Sequence, residues 1–267
     1  MLEIEVSILT HMGNVRTNNE DSVSLVRPSM REVMQSHGVL ALVADGMGGQ
    51  EGGELASKLA IDTIARSYYR SKAKPQNALE EAFREANQEI FECAAANSDL
   101  AGMGTTCVAV VVLEDLAWWA WVGDSRLYLW RNQQILQMSE DHTVVYDLVR
   151  HGLLAAEEAR NHPDRSVLAR AMGTKKHIDF AFGNEPLRLQ AGDRLLLCSD
   201  GLHDLLTDVD IAYCLASEQL SDSAGILLRR ALERGGFDNI SIVLLEAKHK
   251  VETPKKLSSI TREHFLG

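Results

Sequence analysis

Four short acidic segments contain the residues of this sequence best suited to chemistry. They are N-E-D at 19–21, A-D-G-M-G-G at 44–49, C-S-D-G at 198–201 and F-D-N at 237–239. Three of them begin or end an apolar run, which places their aspartates where a strand meets a loop. Carboxylates at strand ends can converge although they are far apart in sequence, and they repel one another unless cations hold them together. The sequence therefore predicts a site for hard metal ions.

An aspartate–glycine pair follows a buried apolar run at two places. Asp45 and Gly46 follow G-V-L-A-L-V-A, and Asp200 and Gly201 follow R-L-L-L-C-S. Glycine lets the backbone turn sharply, so the Asp45 carboxylate and the Gly46 carbonyl can face one cation. One such pair alone is more often a tight turn, but two pairs together with N-E-D and D-N favour a metal site. Because all the candidate ligands are oxygens, Mg²⁺ or Mn²⁺ is favoured over Zn²⁺.

Apolar periodicity predicts the elements that must position these residues. Strands are predicted at 1–10, 38–44, 105–113, 116–122, 126–130, 194–199 and 239–247, and amphipathic helices at 53–70, 77–96 and 221–234. This order lacks the strict strand–helix alternation of a parallel sheet and predicts an α+β fold of antiparallel sheets with helices packed outside. The polar stretch 141–180 is expected to be an insertion that covers a site.

Composition limits the class of protein. The 267 residues fit one large domain or two small ones. A net charge of −11 argues against nucleic-acid binding and against adhesion to anionic membranes. The cysteines form no C-x-x-C pair, so neither a zinc knuckle nor a redox motif is indicated. No apolar run approaches the roughly 20 residues of a membrane span, and a cytoplasmic protein is expected.

Eight segments follow one another along the chain: G-N-V-R-T-N-N-E-D-S (13–22), V-A-D-G-M-G-G (43–49), G-T-T (104–106), V-G-D-S-R-L-Y (122–128), S-E-D-H-T (139–143), A-R-A-M-G (169–173), C-S-D-G-L (198–202) and D-N-I-S (238–241). In this order they resemble the metal-dependent protein serine/threonine phosphatases of the phosphatase 2C (PPM) type in their bacterial form. Each segment is weak evidence alone, but together they are highly specific and cover about residues 8–246.

The resemblance implies a four-layer αββα sandwich, in which helices flank two antiparallel sheets. It implies a catalytic domain over residues 1–247 with a flap at about 141–180. Residues 248–267 carry five basic and two acidic residues and are expected to form an irregular tail. A less favoured interpretation is that this tail folds back on the acidic body or meets a partner.

The resemblance also implies a binuclear Mn²⁺ or Mg²⁺ centre in a cleft between the sheets. Asp45 is expected to bridge both metals, Asp200 and Asp238 to hold the first, and the Gly46 carbonyl to hold the second. In bacterial relatives a weaker third metal uses the aspartates that match Asp124 and Asp200. For Asp124 the sequence leaves this role open beside that of a polar turn.

Other site residues are assigned by the same resemblance. Asp21 and Glu20 are expected near the second metal, acting mostly through its water ligands, with Asn239 supporting the site. Arg16 is the expected phosphate clamp, because a planar guanidinium can bind two phosphate oxygens at once. Met47 stands where some eukaryotic members have a histidine, and methionine cannot donate a proton. A water ligand of the metal is therefore the favoured proton donor to the leaving group.

Three histidines lie near the motifs, at positions 142, 162 and 203. A hydrogen-bonding structural role is favoured for each over a metal or acid role.

The expected function is hydrolysis of phosphoserine and phosphothreonine in proteins, opposing a bacterial Ser/Thr kinase. The alternatives are a pseudophosphatase that binds phosphoproteins without cleaving them and a metallophosphoesterase for small molecules. Intact candidate ligands argue against the first alternative.

Overall fold

Two antiparallel β-sheets face each other, and helices cover the outer face of each. The computed structural model describes residues 2–159 and 162–250. The strands are β1 (Leu2–His11), β2 (Asp21–Val26), β3 (Val39–Met47), β4 (Gly104–Thr105), β5 (Cys107–Leu113), β6 (Leu116–Val122), β7 (Arg126–Arg131), β8 (Gln134–Gln137), β9 (Ala181–Phe182), β10 (Leu187–Arg188), β11 (Arg194–Cys198) and β12 (Ile240–His249). The helices are α1 (Arg31–His37), α2 (Gln50–Arg70), α3 (Pro75–Ala96), α4 (Val144–Arg150), α5 (Ala156–Ala159), α6 (Asp200–His203), α7 (Asp208–Leu215) and α8 (Leu220–Glu233).

The strand order confirms the predicted α+β sandwich. One sheet runs β1-β12-β11-β7-β8 and the other runs β10-β6-β5-β3-β2, with β4 paired to β3 and β9 paired to β6. Neighbouring strands β2, β3, β5 and β6 pair in antiparallel register, as do β1, β12, β11 and β7. Consecutive antiparallel strands need only short connections, which explains the dense succession of strands after α3.

Alternating side chains of the inner strands build the separate layers of the core. On β3, Leu40 and Leu42 pack with α2 and α3, whereas Ala41 and Val43 face the other sheet. Successive side chains of a strand point to opposite faces, so a strand covered on both faces must be apolar throughout. A third cluster packs α7 and α8 on the outer face of the β11–β12 sheet, where Leu196 and Leu244 lie. The layers are therefore helix, sheet, sheet, helix.

Several local predictions need correction. Asp45 was expected at the end of a strand, but β3 continues through it to Met47, because Gly46 and Met47 pair with β4. Helix α2 begins at Gln50 rather than at residue 53. Strand β12 continues to His249, so the first residues of the predicted tail belong to the sheet. Residues 251–267, on which the rest of that prediction falls, lie outside the described residues.

The segment expected to form a flap contains α4 and α5. Thr143 and Leu168 form an isolated β-bridge at its base. Met172, further along, is fully buried against α3 and β5 and bridges to Thr105, so this part of the segment belongs to the core.

In the described part of the chain, no helix has the length and apolar character needed to cross a membrane.

Candidate metal centre and active site

Five aspartates from both sheets converge at one end of the sandwich. Asp21 and Asp45 are direct partners in the register between β2 and β3. Asp200 follows β11 and begins α6, Asp238 lies just before β12, and Asp124 lies in the turn between β6 and β7. Burial raises the pKa of Asp45 well above its ordinary value, and repulsion from the other four carboxylates raises it further. The fold thus brings into one site residues from both ends of the chain.

Hydrogen bonds to a two-threonine segment fix the backbone of Asp45. Thr106 Oγ1 accepts from the Asp45 amide at 3.0 Å, and the Thr106 amide donates to the Asp45 carbonyl at 2.9 Å. Thr105 Oγ1 also donates to this carbonyl, at 2.8 Å. Thr106 Oγ1 lies 2.7 Å from Ser125 Oγ, next to Asp124. Sequence reasoning noted G-T-T as a motif but assigned these threonines no role, because their partner is sixty residues away.

The carboxylates of this site are energetically costly while they are charged. Burial raises the pKa of Asp21 to about 6 and that of Asp124 to about 7. The pKa of Asp200 lies well above its ordinary value, first because of burial and then because of repulsion from Asp124. Asp21 Oδ1 and Asp200 Oδ1 are buried and have no hydrogen-bond partner among the residues described. A bound cation would relieve both the repulsion and the unpaired oxygens.

The donor set fits a hard divalent cation. All the converging side chains are carboxylates, which suit Mg²⁺ and Mn²⁺. Among residues 2–159 and 162–250, however, no group of three or more such side chains is already arranged to hold a metal ion. Asp238 also has partners within the protein, since Oδ2 lies 2.7 Å from Arg16 Nη2 and Oδ1 accepts from the Asn239 amide at 2.9 Å. A cation must therefore compete with Arg16 for Asp238.

The cleft over these carboxylates has a volume of about 470 Å³. Its lining includes Ser166 and Leu168 from the segment expected to be a flap, and Met47. The remaining lining residues are Arg16, Glu20, Asp45, Gly46, Gly48, Gly49, Thr106, Asp124, Asp200, Asp238 and Asn239. The expected phosphate clamp and the expected metal ligands, except Asp21, therefore line one cleft.

Close backbone contacts hold Glu20 and Gly46 against the start of α2. A Cβ atom on Gly46 would lie 2.0 Å from the Gly53 carbonyl oxygen, and one on Gly53 would lie 2.0 Å from Glu20 Oε2. The Gly46 amide also donates to the Glu20 carbonyl at 3.2 Å. Only glycine permits these approaches. Burial raises the pKa of the Glu20 carboxyl, although Arg16 partly offsets this effect.

Asn239 ties the loop that carries Arg16 to the last strand. Its Oδ1 accepts from the Glu20 amide at 2.8 Å, and its Nδ2 donates to the carbonyls of Met12 at 3.0 Å and Asn18 at 2.8 Å. The side chain is buried, so each of these bonds replaces contact with water. Asn239 thus positions the 12–20 loop over the aspartates.

Replacing Asn239 with alanine is expected to lower the free energy of unfolding by about 2–4 kcal/mol, because three buried backbone groups lose their partner. The value of kcat/KM should fall as well, because the loop that carries Arg16 loses its hydrogen bonds to Asn239. Urea denaturation and phosphatase assays measure the two effects. Asn97→Ala is the matched control, because Asn97 is exposed and its side chain accepts a local bond from the Asp99 amide two residues away. Equal losses in the two variants would contradict this role.

The three histidines near the motifs make hydrogen bonds with the backbone. His142 Nδ1 accepts from the Gly123 amide at 3.2 Å, and its ring stacks on Trp121. Burial lowers the pKa of His142 to about 4. His162 Nδ1 accepts from the Asp164 amide at 3.1 Å, and His203 Nε2 lies 3.0 Å from the Asp124 carbonyl oxygen. These contacts agree with structural roles.

Known proteins resemble this chain in sequence. A family model described as protein phosphatase 2C matches residues 17–227. Serine/threonine phosphatase stp of Listeria innocua is 34% identical over 243 residues, which are 89% of this chain and 93% of the relative. Serine/threonine protein phosphatase PstP of Mycobacterium tuberculosis is 37% identical over 235 residues, which are 88% of this chain and 43% of the relative.

Solved structures agree with these matches. The crystal structure of Mycobacterium tuberculosis serine/threonine phosphatase PstP/Ppp gives a TM-score of 0.82 at 34% identity and covers 93% of this chain and 100% of that chain. The catalytic domain of PstP in complex with two manganese ions gives 0.80 at 33% identity, with coverage of 93% and 100%. By sequence and by fold, this chain belongs to the protein phosphatase 2C family.

Proposed function

We propose that this protein hydrolyses phosphoserine and phosphothreonine in protein substrates with the help of Mn²⁺ or Mg²⁺. The observation that carries the proposal is the convergence of Asp45, Asp200 and Asp238 in one cleft with Arg16. Relatives named serine/threonine phosphatases at 34% and 37% identity support it. The complex of PstP with two manganese ions supports the metal requirement.

The proposed ligand set follows the resemblance. Asp45 would hold both of two cations, Asp200 and Asp238 the first, and the Gly46 carbonyl the second. Asp21 and Glu20 would act near the second cation through its waters. A third, weaker site would use Asp124 with Asp200. When bound, such a pair of cations makes water nucleophilic near neutral pH and neutralises charge on the phosphate oxygens.

The protein's own groups orient the phosphate, and its buried thiol is unsuited to form a covalent phospho-enzyme. Arg16 lines the cleft, where its guanidinium can bind two phosphate oxygens. Cys198 lies two residues before Asp200 in the sequence. It is buried, and burial raises the pKa of its thiol to about 12. It is therefore a neutral thiol at physiological pH and unsuited to attack phosphorus. Hydrolysis by direct attack of water agrees with these properties.

Protonation of the leaving alkoxide requires a donor that Met47 cannot provide. No histidine is among the described residues that line the cleft. The cleft is open to solvent, and water is therefore the proton source that we propose.

Arg16→Ala is expected to raise KM for a phosphopeptide by about 10- to 100-fold, because a charged hydrogen-bonded contact with phosphate is lost. Arg16→Lys should raise KM less than Arg16→Ala but still above the wild-type value, since an ammonium group cannot form the bidentate contact with phosphate. Arg66→Ala is the matched control, because Arg66 has a similar exposure and pairs with Glu89 on the outer helices. Steady-state kinetics measure KM, and an unchanged KM in Arg16→Ala would exclude the clamp.

The test of the proposed function compares phosphothreonine peptides with small phosphorylated metabolites in Mn²⁺. Higher kcat/KM on the peptides is the expected result. Higher kcat/KM on metabolites would favour a small-molecule phosphoesterase, and phosphopeptide binding without turnover would favour a pseudophosphatase.

The wider biological setting is also proposed. A bacterial Ser/Thr kinase would phosphorylate the substrates of this enzyme, in the cytoplasm. Relatives from Listeria innocua and Mycobacterium tuberculosis, which are named serine/threonine phosphatases, support the dephosphorylation of phosphoproteins in this setting. The catalytic domain would extend to His249, where β12 ends, and the part of residues 141–180 that precedes Met172 would form a flap beside the cleft. Ser166 and Leu168, which line the cleft, support this position of the flap.

A further inference from the structure

Two exposed apolar residues are the direct sequence neighbours of residues that line the cleft. Val15 is 62% exposed and Phe237 is 63% exposed. Val15 directly precedes Arg16 and Phe237 directly precedes Asp238, and both of these charged residues line the cleft. Single exposed apolar residues are common and need no explanation. This pair, named here the apolar rim, differs because each member adjoins a residue of the active site.

The two loops that carry the apolar rim lie side by side. The Asn14 amide donates to the Gly236 carbonyl at 2.7 Å, and Asn14 Nδ2 donates to the Gly235 carbonyl at 3.1 Å. On the other side of the rim, Arg16 Nη2 lies 2.7 Å from Asp238 Oδ2. Contacts on both sides therefore hold the two rim residues close to each other and to the phosphate clamp.

The aromatic ring of the rim is held in place. Gly235 has φ +122°, and a Cβ atom there would lie 2.4 Å from Phe237 Cζ, so the ring packs directly against the glycine backbone. A side chain other than hydrogen at position 235 would displace the ring. A ring that is held while largely exposed loses little conformational entropy when a ligand covers it.

The position of the phosphate determines what lies over the rim. If Arg16 binds the phosphate of a phosphoresidue, the neighbouring residues of that polypeptide can pass over the surface that Val15 and Phe237 form next to Arg16 and Asp238. Successive residues of an extended chain are about 3.3 Å apart, so the residues on either side of the phosphoresidue fall within reach of the rim. A small phosphate ester has no such neighbours.

We propose that the apolar rim binds an apolar side chain next to the phosphoresidue of a protein substrate. This inference rests on the proposed phosphatase function and specifies its substrate. The rim would select among phosphoproteins, whereas Arg16 and the aspartates would act on any phosphate ester that enters the cleft.

The experiment uses two phosphothreonine peptides, one with leucine and one with glycine on both sides of the phosphothreonine, together with p-nitrophenyl phosphate. The wild-type enzyme in Mn²⁺ should hydrolyse the leucine peptide with a kcat/KM about five- to tenfold higher, because apolar area is buried. Phe237→Ser and, independently, Val15→Ser should bring the leucine-to-glycine ratio towards one. Leu136→Ser is the matched control, because Leu136 is 59% exposed but does not line the cleft.

The outcomes separate the rim from the function on which it rests. Loss of the ratio in both rim variants, with the ratio kept in Leu136→Ser, supports the proposal. A wild-type ratio near one, or a ratio unchanged in the rim variants, overturns the rim and leaves the phosphatase intact. A parallel loss on all three substrates also overturns it, because that pattern reports displacement of Arg16. Hydrolysis of p-nitrophenyl phosphate with neither peptide cleaved overturns the proposed function itself.

Discussion

Asp45→Asn is expected to lower turnover on a phosphothreonine peptide by at least about a thousandfold, equivalent to about 4 kcal/mol in the activation barrier. Asp45 lies at the centre of the converging carboxylates, and the proposed ligand set gives it contact with both cations. An amide keeps the shape of the side chain but carries no charge and is a weak ligand for Mn²⁺. The loss should therefore appear in kcat rather than in KM.

The same substitution should stabilise the protein in the presence of a chelator. Asp45 is repelled by four neighbouring aspartates, and its pKa is raised first by burial. Removing this charge should raise Tm by about 2–4 °C for a gain of about 1 kcal/mol. Differential scanning calorimetry in EDTA measures the change. Asp62→Asn, on the exposed surface of α2, is the control and should change neither quantity. An active Asp45→Asn enzyme would refute the metal assignment.

Removal of divalent metal is expected to abolish activity and to destabilise the protein most strongly above pH 7. Burial raises the pKa of Asp21 to about 6 and that of Asp124 to about 7. A carboxyl whose pKa is higher in the folded state favours folding when protonated. Its contribution is complete below its unfolded pKa and disappears as the pH rises through the folded value. In EDTA, the free energy of unfolding should therefore decrease from about pH 4 to pH 7 as these two carboxyl groups lose their protons.

Mn²⁺ should reverse this trend, because cations bind the deprotonated carboxylates. At a free Mn²⁺ concentration of about 100 Kd, the stabilisation is about 2.7 kcal/mol, or roughly 5–10 °C in Tm. The gap between Tm in Mn²⁺ and Tm in EDTA should widen from pH 5 to pH 8. Groups outside the site, such as Asp210 with its Arg234 partner, cancel in this difference. A gap that does not change with pH, or one that Asp124→Asn leaves unaltered, would contradict the titration of these aspartates.

Most strands and outer helices could be predicted because their signals are local, whereas the four-layer sandwich came from the resemblance. The continuous apolar run before Asp45 marks a strand that is buried on both faces, and the helical spacing over α3 marks an outer helix. The strand β2 was missed although Val23 and Leu25 alternate with polar residues. The helix α7 was missed although Thr207 and Asp210 form a capping box. Both elements therefore carry a local signal in the sequence.

Other features depend on contacts that local sequence does not contain. The aspartate–glycine pair at 45–46 was interpreted as a strand end, but pairing with Gly104 and Thr105 keeps it in the strand. Helix α2 begins at Gln50 and includes Gly53, which packs against Glu20, a contact that local sequence does not reveal. Asp21, Asp45, Asp200 and Asp238 could be named from their pattern, whereas Asp124 came only from the resemblance. The role of Arg16 came only from the resemblance, and the hydrogen bonds of Asn239 required the fold.

The most direct measurement is phosphate release from a phosphothreonine peptide, with and without Mn²⁺, by the wild-type enzyme and the Asp238→Ala variant. The expected result is release that requires Mn²⁺ and is lost in the variant, while both proteins show the same folded circular dichroism spectrum. Release by the wild-type enzyme in EDTA, or undiminished release by Asp238→Ala, would contradict catalysis by metal ions held at this carboxylate. A folded wild-type protein that releases no phosphate with any divalent metal would contradict the enzymatic function itself.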